Sequence, residues 1–166
     1  MATPNTSPAF IRNVGIIGQP IALTSQVCTR ENPGNTPSVI YDPSAAYATG
    51  NGALVETIRA EATGVTAASC LLLFHRILDE AQPVWRKALE VTLPAVATIP
   101  TDSAIPGYPV ELPLPKILFP VAGAGNDASM RGLRLNPSER PIQWGAALTV
   151  AVGTAPIIIS MYGGEY

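Results

Sequence analysis

An all-β fold, an antiparallel sandwich of jelly-roll type, is what this sequence predicts. Three observations predict it. Some eight or nine short apolar or alternating runs are separated by turn residues roughly every 8–12 positions. Proline and glycine are abundant, 17 and 14 of 166 residues, and fall largely between those runs. A helical spacing competes only in Ala68–Asp79. The length fits one domain with a substantial core.

Residues 1–20 hold Pro4, Pro8 and Pro20 among Asn, Thr and Ser. They read as an extended N-terminal arm, and residues 21–166 as the single sandwich domain. Ile21–Thr29 is the first strand, Glu31–Pro37 is turn, and Ser38–Tyr41 is a short strand. Asp42–Gly52 is a loop. Its Gly50-Asn51-Gly52 is a turn signal rather than a dinucleotide fingerprint, because no helical pattern follows it. In the strand Leu54–Thr63, Ile58, Ala60 and Ala62 share one face, while Thr57, Arg59, Glu61 and Thr63 share the other. Val55 falls out of phase, which places a bulge near Glu56. Ala68–Asp79 reads as a strand because its neighbours are short and all-β. Val84–Val91 follows, with Trp85 and Arg86 at its start.

Prolines then recur at 94, 100, 106, 109, 113, 115 and 120. Proline cannot donate to a strand ladder, so this proline-rich insertion reads as edge strand and wandering loop. Gly123–Asn126 is a further loop that lacks the Lys-Ser/Thr of a phosphate loop. In the last third, Leu133 and Leu135 alternate with Arg134, and Asn136–Pro141 is a solvated turn. From Gln143, one face carries Trp144, Ala146, Leu148, Val150 and Val152, and the other carries small or polar residues. Gly153-Thr154-Ala155 joins this strand to Pro156–Tyr162, which reads as a closing hairpin ended by Gly163-Gly164-Glu165-Tyr166.

Charge narrows the function. Ten basic and twelve acidic residues give a net charge of -2 and no electrostatic footprint for nucleic acid. Only 13% of residues are charged, against about 25% in an average soluble domain. A compact chain of this size exposes about 7,800 Å². So few charges on that area, with 47% hydrophobic residues, point to a surface covered by other subunits. No apolar run approaches the roughly 18–20 residues of a membrane span. The first ten residues lack the basic and apolar regions of a signal peptide.

Candidate chemistry is sparse. The single histidine, His75, lies in an apolar run and suits a core or an interface better than a catalytic triad. Glu56 and Glu61 fall on opposite strand faces and cannot act as an acid–base pair. Cys28 and Cys70 are too few for a disulfide framework or a zinc site, and whether they bond to each other stays open. No cofactor, metal or small-molecule substrate is expected, and the chain does not read as an enzyme. Trp144 belongs to an apolar strand face. A glycan-binding surface would need Trp85 or a tyrosine cluster exposed.

Several stretches resemble a family of small virion proteins of tailed bacteriophages. Met1–Pro8, MATPNTSP, is similar to the opening of those proteins. Val55–Thr66, VETIRAEATGVT, is similar to their strand and turn ending in ATGTT. Leu71–Arg76 and Val84–Val91 occupy the places of the two following strands. Leu133–Pro137 resembles the family's LVLP step, Ala147–Val152 its LRAS strand, and Tyr162–Tyr166 its GGDY/GGEY ending. The likeness spans residues 1–8 and 50–166, and Pro94–Asn126 departs from it as a longer insertion. It implies a structural protein located in the virion. The leading expectation is a capsid decoration or cement protein that bridges major capsid protein subunits and associates with copies of itself as a dimer or trimer. A tail or head–tail connector component is the alternative, and a virion-borne glycan-binding module is a third. Assembly contacts are expected at the arm (Phe10, Ile11, Arg12), the proline loop (Tyr108, Leu112, Leu114) and the final strand (Tyr162, Tyr166).

Overall fold

The computed structural model describes residues 13–34, 37–45, 52–101, 103–114, 116–119, 128–135 and 141–165. Among these residues there are eleven strands and no helix. In chain order they are β1 (Asn13–Leu23), β2 (Ser38–Tyr41), β3 (Ala53–Ala62), β4 (Ser69–Ile77), β5 (Arg86–Leu93), β6 (Val110–Glu111), β7 (Lys116–Phe119), β8 (Ala128–Arg131), β9 (Leu133–Leu135), β10 (Ile142–Leu148) and β11 (Ile157–Glu165). Sheet A runs β1-β11-β3-β6, with β9 also paired to β3. Sheet B runs β2-β10-β4-β5, and β7 with β8 forms a separate two-stranded ribbon. All of these pairings are antiparallel, and the two large sheets form the expected β-sandwich.

The core lies between the sheets. Ile17, Leu23, Val55, Ile58, Ile157, Ile159 and Met161 of sheet A meet Ile40, Leu71, Leu73, Leu93, Trp144, Ala146 and Leu148 of sheet B. The alternation read from the sequence puts Ile58, Trp144, Ala146 and Leu148 on faces that the structure buries. β4 is a strand, and its continuous apolar run has a reason. Leu71 and Leu73 fill the main core, while Leu72 and Phe74 join Cys28 and Ala147 in a second buried cluster on the opposite face. A strand buried on both faces loses its alternation.

The strand before residue 29 differs from expectation. β1 begins at Asn13, inside the stretch read as arm. It pairs with β11 along its length, interrupted between Ile17↔Met161 and Ile21↔Ile159. Pro20 is tolerated because it sits in that bulge. Gly18 there has φ +74°, and a Cβ on it would strike the Ile40 carbonyl. The chain then changes sheets, and Val27 bridges to Leu148 beside β10. Residues 1–12 lie outside the described residues, as do the Gly123–Asn126 loop and most of the Asn136–Pro141 turn.

β10 and β11 do not form a hairpin. Both edges of β10 are taken, by β2 and β4, and both edges of β11 by β1 and β3. The two strands therefore sit in opposite sheets and share only the core. Their link also starts earlier than expected. β10 ends at Leu148, and Val150 is 54% exposed instead of continuing the apolar face. The Ser69 hydroxyl donates to the Val150 carbonyl at 2.8 Å and accepts its N–H at 3.2 Å, which competes with the ladder. Val152 returns to the core.

The bulge near Glu56 is present. Tyr162 pairs with Thr57 and Gly163 with Val55, so Glu56 is the extra residue. Gly163 and Gly164 are part of β11 rather than a terminator after it. At Gly163 the neighbouring strand comes so close that a Cβ would overlap the Leu54 carbonyl oxygen.

Candidate assembly surface

Part of the outer face of sheet B is covered by the chain itself. Trp85, just ahead of β5, covers the second cluster of Leu72, Phe74, Cys28 and Ala147. The Arg76 guanidinium lies 4.6 Å from its ring centroid. Gly145 leaves room for the ring, since a Cβ there would come within 3.0 Å of Trp85 Cη2. Arg76 Nε donates to Gln143 Oε1 at 2.6 Å, and Gln143 Nε2 donates to Asp42 Oδ2 at 2.8 Å. Burial works to raise the Asp42 carboxyl. Hydrogen bonds from Ser44 and Gln143, with the Arg76 charge, outweigh it and hold the group below its usual range.

Beside this lid, Arg30 grips Glu90 through Nε at 2.8 Å and Nη2 at 2.6 Å, and Lys87 Nζ adds a third contact at 3.1 Å. The Arg30 hydrogen bond, then that of Lys87, hold Glu90 down to about 2. The ion pair ties the Thr29–Asn32 turn to β5. A cleft of about 480 Å³ between Cys28, Arg30, Asn32 and Thr149 opens next to it. Burial pushes the Cys28 thiol up, so it stays protonated there. Both cysteines are free thiols. Cys28 N–H bonds to Leu148 O on one side of β10, while Cys70 exchanges hydrogen bonds with Thr149 on the other.

Among the described residues, no group of three or more His, Cys, Asp or Glu could hold a metal ion. His75 packs against Trp144 with ring centroids 5.3 Å apart and the planes tilted by 41°. Trp85, Tyr108 and Tyr162 are half-buried and Tyr41 is buried, so none of these four offers an exposed platform for a sugar.

The expected assembly residues scatter. Leu112 and Leu114 are buried in the core of their own chain and present nothing to a partner. Tyr108 is half-buried, and its hydroxyl donates to the Pro94 carbonyl at 3.0 Å. Burial raises its phenol, against a lowering hydrogen bond with Thr66. It clips the proline-rich loop onto the sandwich. Tyr162 lies on the outer face of sheet A under the Arg59 guanidinium, 5.3 Å away, which Glu111 in turn contacts at 3.2 Å. Phe10, Ile11, Arg12 and Tyr166 lie outside the described residues.

The surface that stands out is the open edge of β1. Val14 is 83% exposed and Ile16 50%. Among the described residues this strand pairs only with β11. The other sheet edges are protected. β5 carries Arg86, Lys87 and Glu90, β6 is two residues long and ends in Glu111, and β2 is four residues long. β1 is eleven residues long with no charged residue at all. The sequence held this signal in the uncharged, alternating Asn13–Ile17, which a reading as arm concealed. No family model, no curated protein and no solved structure matches the chain.

Proposed function

We propose that this chain is a structural protein of a tailed-phage particle, a capsid decoration protein that stabilises the shell by bridging its subunits. The unprotected, uncharged edge of β1 carries this reading. An exposed strand edge with apolar side chains is an aggregation hazard unless a partner covers it. In an assembly protein the same edge is a binding element. The resemblance of Val55–Thr66, Leu133–Pro137, Ala147–Val152 and Tyr162–Tyr166 to virion proteins directs the reading to a phage particle, and the low charge content supports a covered surface. The work is thermodynamic. A specific interface buries about 1,600 Å² in total, and many weak copies on one shell add by avidity.

The test uses purified protein and mature shells that lack it. The protein is expected to co-sediment with the shells and to raise their rupture temperature. Equal rupture temperatures with and without bound protein would remove the cement role. Absence of binding would remove the capsid location.

A further inference from the structure

Among the described residues two features lack a partner strand, and each fits the other. The first is the β7–β8 ribbon. Among the described residues it pairs with neither sheet of the sandwich, and a lone two-stranded ribbon is marginally stable in water. Its register sets Lys116 opposite Arg131, then Ile117 opposite Met130, Leu118 opposite Ser129 and Phe119 opposite Ala128. The second is the first stretch of β1, Asn13–Ile16, ahead of the point where Gly18 meets β2. Its outer edge presents a row of backbone donors and acceptors that only another strand can pair in full.

We propose that the ribbon of one copy adds to the β1 edge of a second copy, extending that copy's sheet A by two strands. This rests on the assembly reading above and names the partner as another copy of the same chain. The lengths agree, since β7 and β8 are four residues each and Asn13–Ile16 is four. The charges agree as well. The ribbon carries two cations in one register pair, Lys116 and Arg131. The receiving edge has Glu165 of β11 as the register partner of Asn13. Val14 and Ile16, on the outer face of sheet A, would gain cross-strand neighbours. A β1-to-β1 contact would cover the same edge but leave the ribbon unsupported. The contact is heterologous, so repeated around an axis it closes a ring.

Sedimentation velocity of the full chain at tens of micromolar tests this. The wild type is expected as a closed oligomer of the 17.3 kDa chain. Val14→Lys with Ile16→Lys charges the edge at exposed positions and is expected to give a folded monomer. Ile117→Lys with Met130→Lys sets like charges opposite each other in the ribbon and is expected to give a monomer too. Mixed in equal amounts, the two variants are expected to form a one-to-one dimer, because one keeps its ribbon and the other its edge. A monomeric wild type, an oligomer that survives both edge substitutions, or a mixture that stays monomeric would each overturn the proposal. Shell binding is read separately. A monomer that binds shells overturns this contact alone, and an oligomer that ignores shells overturns the capsid reading alone.

Discussion

Single residues show where the sandwich has no slack. Gly163 faces the Glu56 bulge, and the neighbouring backbone occupies the space of a side chain. Gly163→Ala is expected to cost about 3 kcal/mol, the upper part of the range for overpacking, since the obstacle is backbone rather than a mobile side chain. Gly15→Ala is the control. It has nothing within 4 Å of its would-be Cβ and is expected to change stability by no more than about 0.5 kcal/mol. Urea unfolding midpoints of both variants check the pair. The bulge itself was legible in the sequence, because Val55 breaks the alternation that Ile58, Ala60 and Ala62 establish. The constraint on Gly163 was not. It comes from Leu54, a residue of the partner strand distant in sequence, and nothing local to Gly163-Gly164 encodes it. Leu112 and Leu114 show the same limit. Flanked by prolines, they looked like loop residues available to a neighbour, and only the packing of the loop buries them.

Elements behave as their edges and faces dictate. The Thr29–Asn32 turn is held to β5 by Arg30 on Glu90, a group held down to about 2 from the usual 4.5. A carboxylate depressed in the folded state contributes stability above its unfolded pKa and loses it as pH falls through the folded one. The contribution is therefore complete above about pH 4.5 and disappears toward about pH 2. Asp42 acts in the same direction. Thermal midpoints of the wild type are expected to fall more steeply across that window than those of Glu90→Gln. A flat wild-type profile would show that the pair holds no free energy. β10 separates the cysteines. Cys70 is expected to react with iodoacetamide in the native state and Cys28 only after unfolding, with no disulfide on a non-reducing gel. Equal labelling rates would contradict the burial of Cys28. The strand assignment of β4 was legible from its neighbours, while its coverage on both faces awaited Trp85 and the Cys28 segment. The β10–β11 hairpin was misread because strand, turn and strand in sequence do not tell which edges are already occupied.

At the scale of the whole molecule, composition spoke earliest. Few charges on a domain this size pointed to a surface shared with something else, and Val14 and Ile16 are exposed on the outermost described strand of sheet A. What composition could not show is where the open edge lies, because that depends on which strands meet across the chain. The strand order has a kinetic consequence. β11 is an interior strand of sheet A, with β1 on one side and β3 on the other. During synthesis, β1 and β3 leave the ribosome long before residues 157–165 exist to pair with them. Sheet A cannot assemble progressively from its first strand, and its assembly waits for the closure of a loop that spans most of the chain, where the entropic cost precedes any gain. Refolding followed by Trp85 and Trp144 fluorescence is expected in the millisecond-to-second range of non-local β topologies. Removal of residues 157–165 is expected to leave a chain without near-UV circular dichroism. The partner strand made last decides when the first one folds, so nascent chains carry an uncharged, unpaired β1 through most of their synthesis. Occupation of that strand by holdase chaperones would follow from the order of the sheet alone.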